Sequence, residues 1–475
     1  MVEIENKTFV KQFDFGIIGG GPAGYTAAIR ASQLGKTVVL FEKENLGGTC
    51  LNKGCIPTKT FLHSADLLKS IKKASSAGIE VENVTVNFEK IVEKKNKTVE
   101  KLRKSLEMLL KSYGIEIIYA EAKIGNGKWE MGNRKQKNTH SLFPISYSPI
   151  EANGESYECA NIIVATGAEP RCVGGFEFDH EFILSSDDVL DLKKSPEKVV
   201  IVGSGAIGIE WARIFSSFGT EVSIIEIAER LLPLADIEIS ARLERIFKQA
   251  RVKMFLSASV KEIKDKKVTL SNDEVLEPDF VLFATGRKIN DGGIGIPPYT
   301  TFGETGNREQ GTDFHFYTIG DAFGSVQLAH FASYQAVQIV NKIVLGEEKK
   351  EFLVPSVVYG NPEIAWIGKT EKELENTEYK KSVFPISALG KAHADGDLEG
   401  FIKVLTAENK ILGAHIISKE ASALIHQFLI AMQNDLSVDD LKHCCFAHPT
   451  YSEGVYESLL GLDNESLALL RGQNA

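Results

Sequence analysis

Short apolar runs alternate with helical stretches through the first 290 residues. Phe13 to Ile18 reads as a buried strand, followed by Gly19-Gly20-Gly21-Pro22-Ala23-Gly24, a helix from Tyr25 to Leu34, and a second strand from Thr37 to Phe41 that ends at Glu42. The same order returns later. Lys198 to Val202 is a strand, Gly203-Ser204-Gly205-Ala206-Ile207-Gly208 opens a helix, and Glu221 to Ile225 leads to Glu226. Strands alternating with helices predict parallel α/β sheets. Between the two copies, Phe61 to Lys111 reads as long helical material, because Leu67, Leu68 and Ile71, then Leu102, Leu106, Leu109 and Leu110, recur at helical spacing. The run Lys94-Lys95-Asn96-Lys97 fits a solvated helix face. Ile115 to Tyr119 is a strand, residues 125–158 suggest strands and turns, and Ile162 to Ala168 closes the first half. From Phe352 the pattern changes to α+β.

The fold class expected is α/β, with two Rossmann-like dinucleotide-binding domains plus a C-terminal α+β domain. Both glycine runs read G-x-G-x-x-G between a strand and a helix, where backbone amides and the helix dipole hold a pyrophosphate. Glu42 and Glu226 each lie 18 residues beyond the last glycine of their run, a suitable distance for ribose hydroxyls. An acid at Glu226 favours NAD, since a ribose phosphate would require an arginine there. Arg230 is nearby, but the acid is better placed. Two dinucleotide folds in one chain imply electron transfer between two bound nucleotides.

The chain has 475 residues, 43% hydrophobic and 25% charged, enough for two to four domains of a globular protein. A net charge of -10, from 54 basic and 64 acidic residues, argues against nucleic-acid binding and offers no polybasic membrane patch. The start, MVEIENKTFVKQFDFG, has no apolar signal core. No run of about 20 apolar residues predicts a membrane span. Six cysteines are too sparse for a secreted disulfide scaffold, and a reducing cytoplasm fits better.

Two of those cysteines stand out. Cys50 and Cys55 lie in Gly47-Gly48-Thr49-Cys50-Leu51-Asn52-Lys53-Gly54-Cys55-Ile56-Pro57-Thr58-Lys59. A regular helix would hold such a pair roughly 7.5 Å apart along its axis, beyond the ~4.4–6.8 Å that a disulfide wants between Cα atoms. If the pair closes, the backbone must turn; Gly54 permits that and Pro57 suits a helix start. A helix N-terminus and a nearby lysine favour the thiolate. Unpaired core thiols or half of a metal site remain open from the spacing alone. Near the end, Ala447-His448-Pro449-Thr450-Tyr451-Ser452-Glu453 sets a histidine five residues before an acid, the pattern of a base and its orienter. A lone histidine is more often structural. His443, Cys444 and Cys445 read as packing residues.

The stretch CLNKGCIPTK resembles the redox-active segment of the pyridine nucleotide–disulfide oxidoreductases, in the wording of the dihydrolipoyl dehydrogenases. The likeness extends over nearly the whole chain through both glycine runs, Ala165-Thr166-Gly167, Ala284-Thr285-Gly286-Arg287, Tyr317-Thr318-Ile319-Gly320-Asp321-Ala322 and His448-Pro449-Thr450. The resemblance implies segments 1–168 (FAD-binding), 169–287 (NAD-binding), 288–351 (a central part completing the FAD site) and 352–475 (dimerisation). It implies FAD against Gly19, Gly21, Gly24, Glu42, Thr49, Lys59, Ala120, Thr166, Gly167, Ala168, Asp321, Leu328, Ala329 and His330. It implies NAD against Gly203, Gly205, Ile207, Gly208, Glu210, Glu226, Val260 and Gly286, with Glu210 pairing with Lys59. Asp321 as a helix cap and Val260 as a plain core residue are the structural alternatives.

The expected chemistry follows from the same resemblance. Cys50 and Cys55 form a redox-active disulfide, Cys50 is the sulfur attacked by dihydrolipoamide, and Cys55 faces the flavin. His448, oriented by Glu453, is the base and enters the partner subunit's site. The expected protein is a homodimer that oxidises dihydrolipoamide to lipoamide on the lipoyl-bearing acyltransferase core of a 2-oxo acid dehydrogenase or glycine cleavage complex, reducing NAD. No metal, nucleic acid or membrane is expected. Glutathione-type and mercuric-type reductases are the alternatives within the family, and a flavin-binding scaffold without turnover the alternative outside enzymes. The basic residues normal in the first are absent at Glu226, and the tail lacks the second cysteine pair of the mercuric type.

Overall fold

Lys11–Ile18 (β1) is exposed at its first residues and fully buried over Phe15–Ile18, the profile of a strand that enters a covered sheet. The computed structural model describes residues 11–124, 148–290, 315–324, 326–348 and 351–469. The chain divides into two compact units. The first comprises Met1–Pro57, Lys94–Glu169 and Arg287–Lys350, and the second Thr58–Glu93, Pro170–Gly286 and Glu351–Ala475. The sequence stretch 291–314 lies outside the described residues, as does most of 125–158.

In the first unit, Pro22–Gln33 (α1) follows β1 directly. The helix begins three residues before the position its apolar pattern suggests, because Pro22 sits in the first turn with Gly21 as N-cap, where a fixed φ and a missing N–H cost nothing. Val38–Glu42 (β2) is buried throughout. The helical material then falls into three pieces, Gly48–Asn52 (α2), Cys55–Lys73 (α3) and Phe88–Ser112 (α4), of which residues 58–73 and 88–93 belong to the second unit. The expected continuous stretch from Phe61 to Lys111 is therefore two helices, separated by a 3-10 turn at Ala74–Ala77 and a non-helical link. Gly78 ends the turn at a φ of 79°, a conformation open to glycine. Lys94, Asn96 and Lys97 are exposed on α4, but Lys95 is buried. It lies one turn beyond Ile91 on the inward face, so the solvated-face reading fails at that residue.

Glu116–Tyr119 (β3), Lys123–Ile124 (β4), Ser148–Ala152 (β5) and Glu155–Val164 (β6) complete a seven-stranded sheet in the order β3-β2-β1-β6-β5-β4, with the strand His315–Thr318 pairing β6. The pairs β1–β2, β2–β3 and β1–β6 are parallel. Ile18 of β1 faces Val164 of β6 in the register, so their carboxyl ends open at one point. Helix Ala329–Leu345 packs on α1 and closes a core that includes Phe15, Ile17, Ala27, Ile163 and Val340.

The second unit repeats the plan. Strands Lys253–Leu256, Glu221–Glu226, Lys198–Val202, Phe280–Phe283 and Ile183–Leu184 lie side by side in that order, all parallel. Ala206–Ser217 (α5) and Ile237–Gln249 (α6) are its helices. The 3-2-1-4 strand order of both sheets is that of doubly wound nucleotide-binding folds. A five-stranded antiparallel sheet, Ser356–Val358, Glu363–Gly368, Lys410–Ser418, Phe401–Ala407 and Lys380–Pro385 in spatial order, carries the α+β part. Helix Ala421–Gln433 packs over it through Leu424, Ile425 and Phe428. The structure thus holds two doubly wound α/β sheets and an α+β part. Compactness gathers residues 170–286 and 351–475 into one unit where the sequence suggests separate segments. Among the described residues, no helix is long and apolar enough to cross a membrane.

Candidate functional site

The two glycine runs have nearly the same backbone. Gly19 and Gly203 have φ of 104° and 100°, open to glycine alone without strain. Their Cα atoms press on a second strand end: a Cβ at Gly19 would lie 2.3 Å from the Ala165 carbonyl oxygen, and one at Gly203 would lie 2.6 Å from that of Ala284. Gly24 and Gly208 need the missing side chain for a different reason. A Cβ there would come within 1.8 Å of the Gly19 carbonyl oxygen and 2.1 Å of the Gly203 carbonyl oxygen. The middle glycines, Gly21 and Gly205, cap α1 and α5. A Cβ at Gly21 would meet only Gly48, at 3.7 Å, and one at Gly205 meets nothing within 4 Å. Tight turn, close helix–strand packing and open space over the helix N-terminus are the three roles that a pyrophosphate cradle assigns to its glycines.

The acids at the second strand ends are tied to these same loops. Glu42 accepts from the Gly20 N–H at 2.7 Å and the Glu44 N–H at 2.7 Å. Glu226 accepts from the Ser204 N–H at 2.8 Å, the Ser204 hydroxyl at 2.7 Å and the Ala228 N–H at 2.9 Å. Both carboxylates are buried. Four acceptor lone pairs per carboxylate leave capacity for ribose hydroxyls. Ile207 is partly buried near the start of α5, and Val260 is packed against the core of its unit.

Cys50 is in α2 and Cys55 opens α3, and the two lie near each other. The break between the helices is what permits this. Lys53 ends α2 with its N–H on the Thr49 carbonyl at 2.8 Å, and Gly54 folds back over the helix it has left. A Cβ on Gly54 would sit 3.1 Å from the Thr49 carbonyl oxygen and 3.5 Å from the Cys50 Cα. Tyr25, on α1, is a neighbour that the sequence pattern did not single out. Burial, then the negative charge available to Cys50 and Cys55, push its phenol up. Its only sequence signal is its position directly after Gly24.

Several sequence-selected residues gather around Arg287. Its guanidinium donates to the Ala168 carbonyl and lies 3.3 Å from the Thr49 hydroxyl. Thr166 donates its hydroxyl to the Asn290 carbonyl at 2.6 Å, and Asn290 returns its N–H to Gly167 at 3.0 Å. Asp321 lies in a 3-10 turn whose N-cap is Ile319, so its carboxylate is not a helix cap. Burial pushes that carboxyl up, against the pull of Arg287. Ala120 is buried at the end of β3. Leu328 caps the helix that Ala329 and His330 begin, without a side-chain cap.

In the second unit, Lys59 of α3 and Glu210 of α5 form a two-pronged ion pair, with Nζ 2.9 and 2.8 Å from the two carboxylate oxygens. Glu210 also accepts the Tyr359 N–H at 3.0 Å. The Lys59 ammonium stands over the Tyr359 ring, 4.4 Å from its centroid, a favourable cation–π placement. Tyr359 had no sequence signal, because the loop that brings it here is 149 residues from Glu210. Gly286, with φ 93°, ends the Ala284-Thr285-Gly286 element beside Arg171.

His448 lies before helix Glu453–Leu460, and its Nδ1 is 2.8 Å from Glu453 Oε1. The other carboxylate oxygen accepts the Thr450 N–H at 2.8 Å. Burial acts to raise Glu453, but the Thr450 N–H and His448 hold its carboxyl below the ordinary range. The His448 side chain is 76% exposed. His443, Cys444 and Cys445 are exposed in the single chain as well. Their five-residue helix, Val438–Lys442, ends directly before them and turns them outward. Among the described residues no group of His, Cys, Asp and Glu is placed to hold a metal ion.

The family model described as "Pyridine nucleotide-disulphide oxidoreductase" matches residues 13–336, and the dimerisation domain of the same family matches residues 354–459. A dihydrolipoyl dehydrogenase of Bacillus subtilis is 34% identical, covering 96% of this chain and 99% of the relative. One from Chlamydia trachomatis is 35% identical, covering 94% and 96%. Among solved structures, LpdA from Mycobacterium tuberculosis superposes with a TM-score of 0.82 at 23% identity, covering 95% of this chain and 99% of that one. The HOCl-induced flavoprotein disulfide reductase RclA from Escherichia coli has a TM-score of 0.76 at 25% identity, covering 94% and 99%.

Proposed function

From the premise that this chain belongs to the pyridine nucleotide-disulphide oxidoreductase family, we propose the following assignment of its residues to its reaction. The chain is a dihydrolipoyl dehydrogenase, an enzyme that uses FAD and NAD and dimerises through its C-terminal domain. The observation that carries the assignment is the helix break at Lys53–Gly54, which brings Cys50 and Cys55 together beside the first glycine cradle.

The residues present fit both nucleotides. Gly19, Gly21 and Gly24 would hold the FAD pyrophosphate and Glu42 its adenosine ribose. Gly203, Gly205 and Gly208, with Glu226, would hold NAD; the open space over Gly205 supports this. Asp321, a partly buried carboxyl raised by its surroundings, suits a hydroxyl-rich chain that donates to it. When bound, FAD supplies the two-electron link between the cysteine couple and NAD.

His448 takes a proton from one thiol of dihydrolipoamide, and Glu453 holds the ring so that its other nitrogen does so. The substrate thiolate attacks Cys50 Sγ, the Cys50–Cys55 bond breaks, and Cys55 leaves as thiolate. The second substrate thiol displaces Cys50, whose leaving sulfur takes up that thiol's proton, releasing the cyclic disulfide lipoamide and leaving Cys50 as thiol and Cys55 as thiolate. One electron pair and two protons thus leave the substrate. Lys59, held by Glu210, supplies positive charge near Cys55, one helical turn away on α3. His448 serves the disulfide of the partner subunit, consistent with its exposure in a single chain. The lipoyl group arrives on the acyltransferase core of a 2-oxo acid dehydrogenase or glycine cleavage complex, in the cytoplasm.

The test is steady-state turnover of dihydrolipoamide with NAD and with NADP, beside glutathione and mercuric ion. Dihydrolipoamide with NAD is the expected pair. Faster reduction of glutathione disulfide or mercuric ion by NADPH would overturn the assignment.

A further inference from the structure

Four residues, Tyr359-Gly360-Asn361-Pro362, form a loop whose carbonyls are held by two cations, Arg213 buried and Lys69 partly buried, that the reaction above does not use. Arg213, three residues after Glu210 on α5, donates from one nitrogen to the Tyr359 carbonyl at 3.1 Å and the Pro362 carbonyl at 2.6 Å. Lys69, on α3, donates to the Asn361 carbonyl at 2.7 Å and to the Asn361 side-chain oxygen at 3.2 Å. Gly360 allows the close approach. Its φ is 136°, and a Cβ there would lie 2.4 Å from an Arg213 nitrogen.

Neither cation is held there by an ordinary ion pair. Arg213 is 7% exposed, and its Nε and second terminal nitrogen have no hydrogen-bond partner among the described residues. Burial pulls its guanidinium down to about 10, opposed by Glu210, Asp66 and Glu363. Burial also lowers Lys69. The loop is partly open on the Asn361 side, although Tyr359 packs against the core of its unit. It borders a cavity of about 210 Å³ lined in part by Lys69, Asn361, Pro362, Asp397 and Glu399.

What the loop carries is Tyr359, which donates its N–H to Glu210 and lies under Lys59. We infer that Arg213 and Lys69 are positioning residues for the Lys59–Glu210 pair, acting through the Tyr359–Pro362 loop. The inference rests on the functional reading given above. Without the two cations the loop relaxes toward the cavity, Glu210 loses a donor, and the Lys59 ammonium loses its aromatic floor.

The experiment compares the holoenzymes of wild type, Arg213→Met, Arg213→Lys and Lys69→Met by rapid mixing, reading each half-reaction alone. Bleaching of the flavin by NADH is expected to slow by about tenfold in Arg213→Met, a change of the size that small misplacements produce. Lys69→Met slows it less, and Arg213→Lys recovers part of the rate. Reduction of the cysteine couple by dihydrolipoamide slows by a smaller factor, since that half draws on the Lys59 charge near Cys55 but not on Glu210 at the NAD side. NADH bleaching at wild-type rate in both Met variants would overturn the inference. So would equal slowing of both half-reactions, which marks a merely structural role. If Arg213→Met does not fold, Lys69→Met, at a less buried position, decides alone. A wild-type protein inert to dihydrolipoamide sinks the functional reading instead, and the NADH half-reaction still reads the loop.

Discussion

His448 Nδ1 stands 2.8 Å from Glu453 Oε1, on a turn where the same carboxylate also receives the Thr450 N–H at 2.8 Å. One carboxylate therefore fixes both the ring and the backbone that carries it. His448→Ala is expected to slow dihydrolipoamide oxidation by about 10²- to 10⁴-fold, the range for loss of a general base. Reduction of the flavin by NADH should keep its rate. Stopped-flow traces of the two half-reactions check this, and equal losses in both would remove His448 from the role of base.

The same turn predicts a response to acid. The Glu453 carboxyl is held below its ordinary value by Thr450 and His448, against burial. A group lowered on folding adds stability above its unfolded pKa, and that stability is lost as pH falls through the folded value. Wild type should thus keep this turn intact through the ordinary carboxylate range and lose it only below. In His448→Ala the carboxyl keeps only its Thr450 partner, so the acid transition should move to higher pH. Acid titration followed by near-ultraviolet circular dichroism of both proteins reads the shift; coincident transitions would contradict the assigned partner.

Cys50→Ser removes the sulfur that the substrate attacks but leaves α2 and the glycine cradle in place. Dihydrolipoamide turnover should vanish while the protein still binds FAD and keeps its yellow colour. Normal turnover would transfer the attack to another residue.

The second glycine run offers a pair of opposite substitutions. Gly205→Ala adds a methyl to open space, so the melting temperature should stay while the KM for NAD rises about tenfold, the price of roughly 1–3 kcal/mol of crowding at the ligand. Gly208→Ala places its Cβ 2.1 Å from the Gly203 carbonyl oxygen, and the loop must move. It should lower stability by about 1–3 kcal/mol or more, measured by urea unfolding. Reversed outcomes would mean that the two glycines do not divide the work of cradle and packing.

Much of this protein was legible without coordinates. A glycine between strand and helix, an acid at the next strand end and a proline after a cysteine are local signals. Their meaning depends on backbone sterics within a few residues, which no distant contact overrides. That is why both nucleotide folds, the cysteine stretch and the histidine turn stand where the sequence suggests. The limits of α1 and the split of the long helical stretch were less legible, because capping by Gly21 and the turn at Gly78 compete with apolar spacing over only a few residues.

Tertiary structure alone decided what distant segments do together. Glu210 and Tyr359 are 149 positions apart, and neither spacing nor composition links them. Arg213 and Lys69 carry no sequence signal of a role until the chain folds a loop's carbonyls onto them. Asp321 proved to lie inside a turn capped by Ile319, its carboxyl set by burial and by Arg287. A sequence specifies which backbone shapes are cheap; which buried charges meet is settled only when packing brings separate elements within hydrogen-bonding reach.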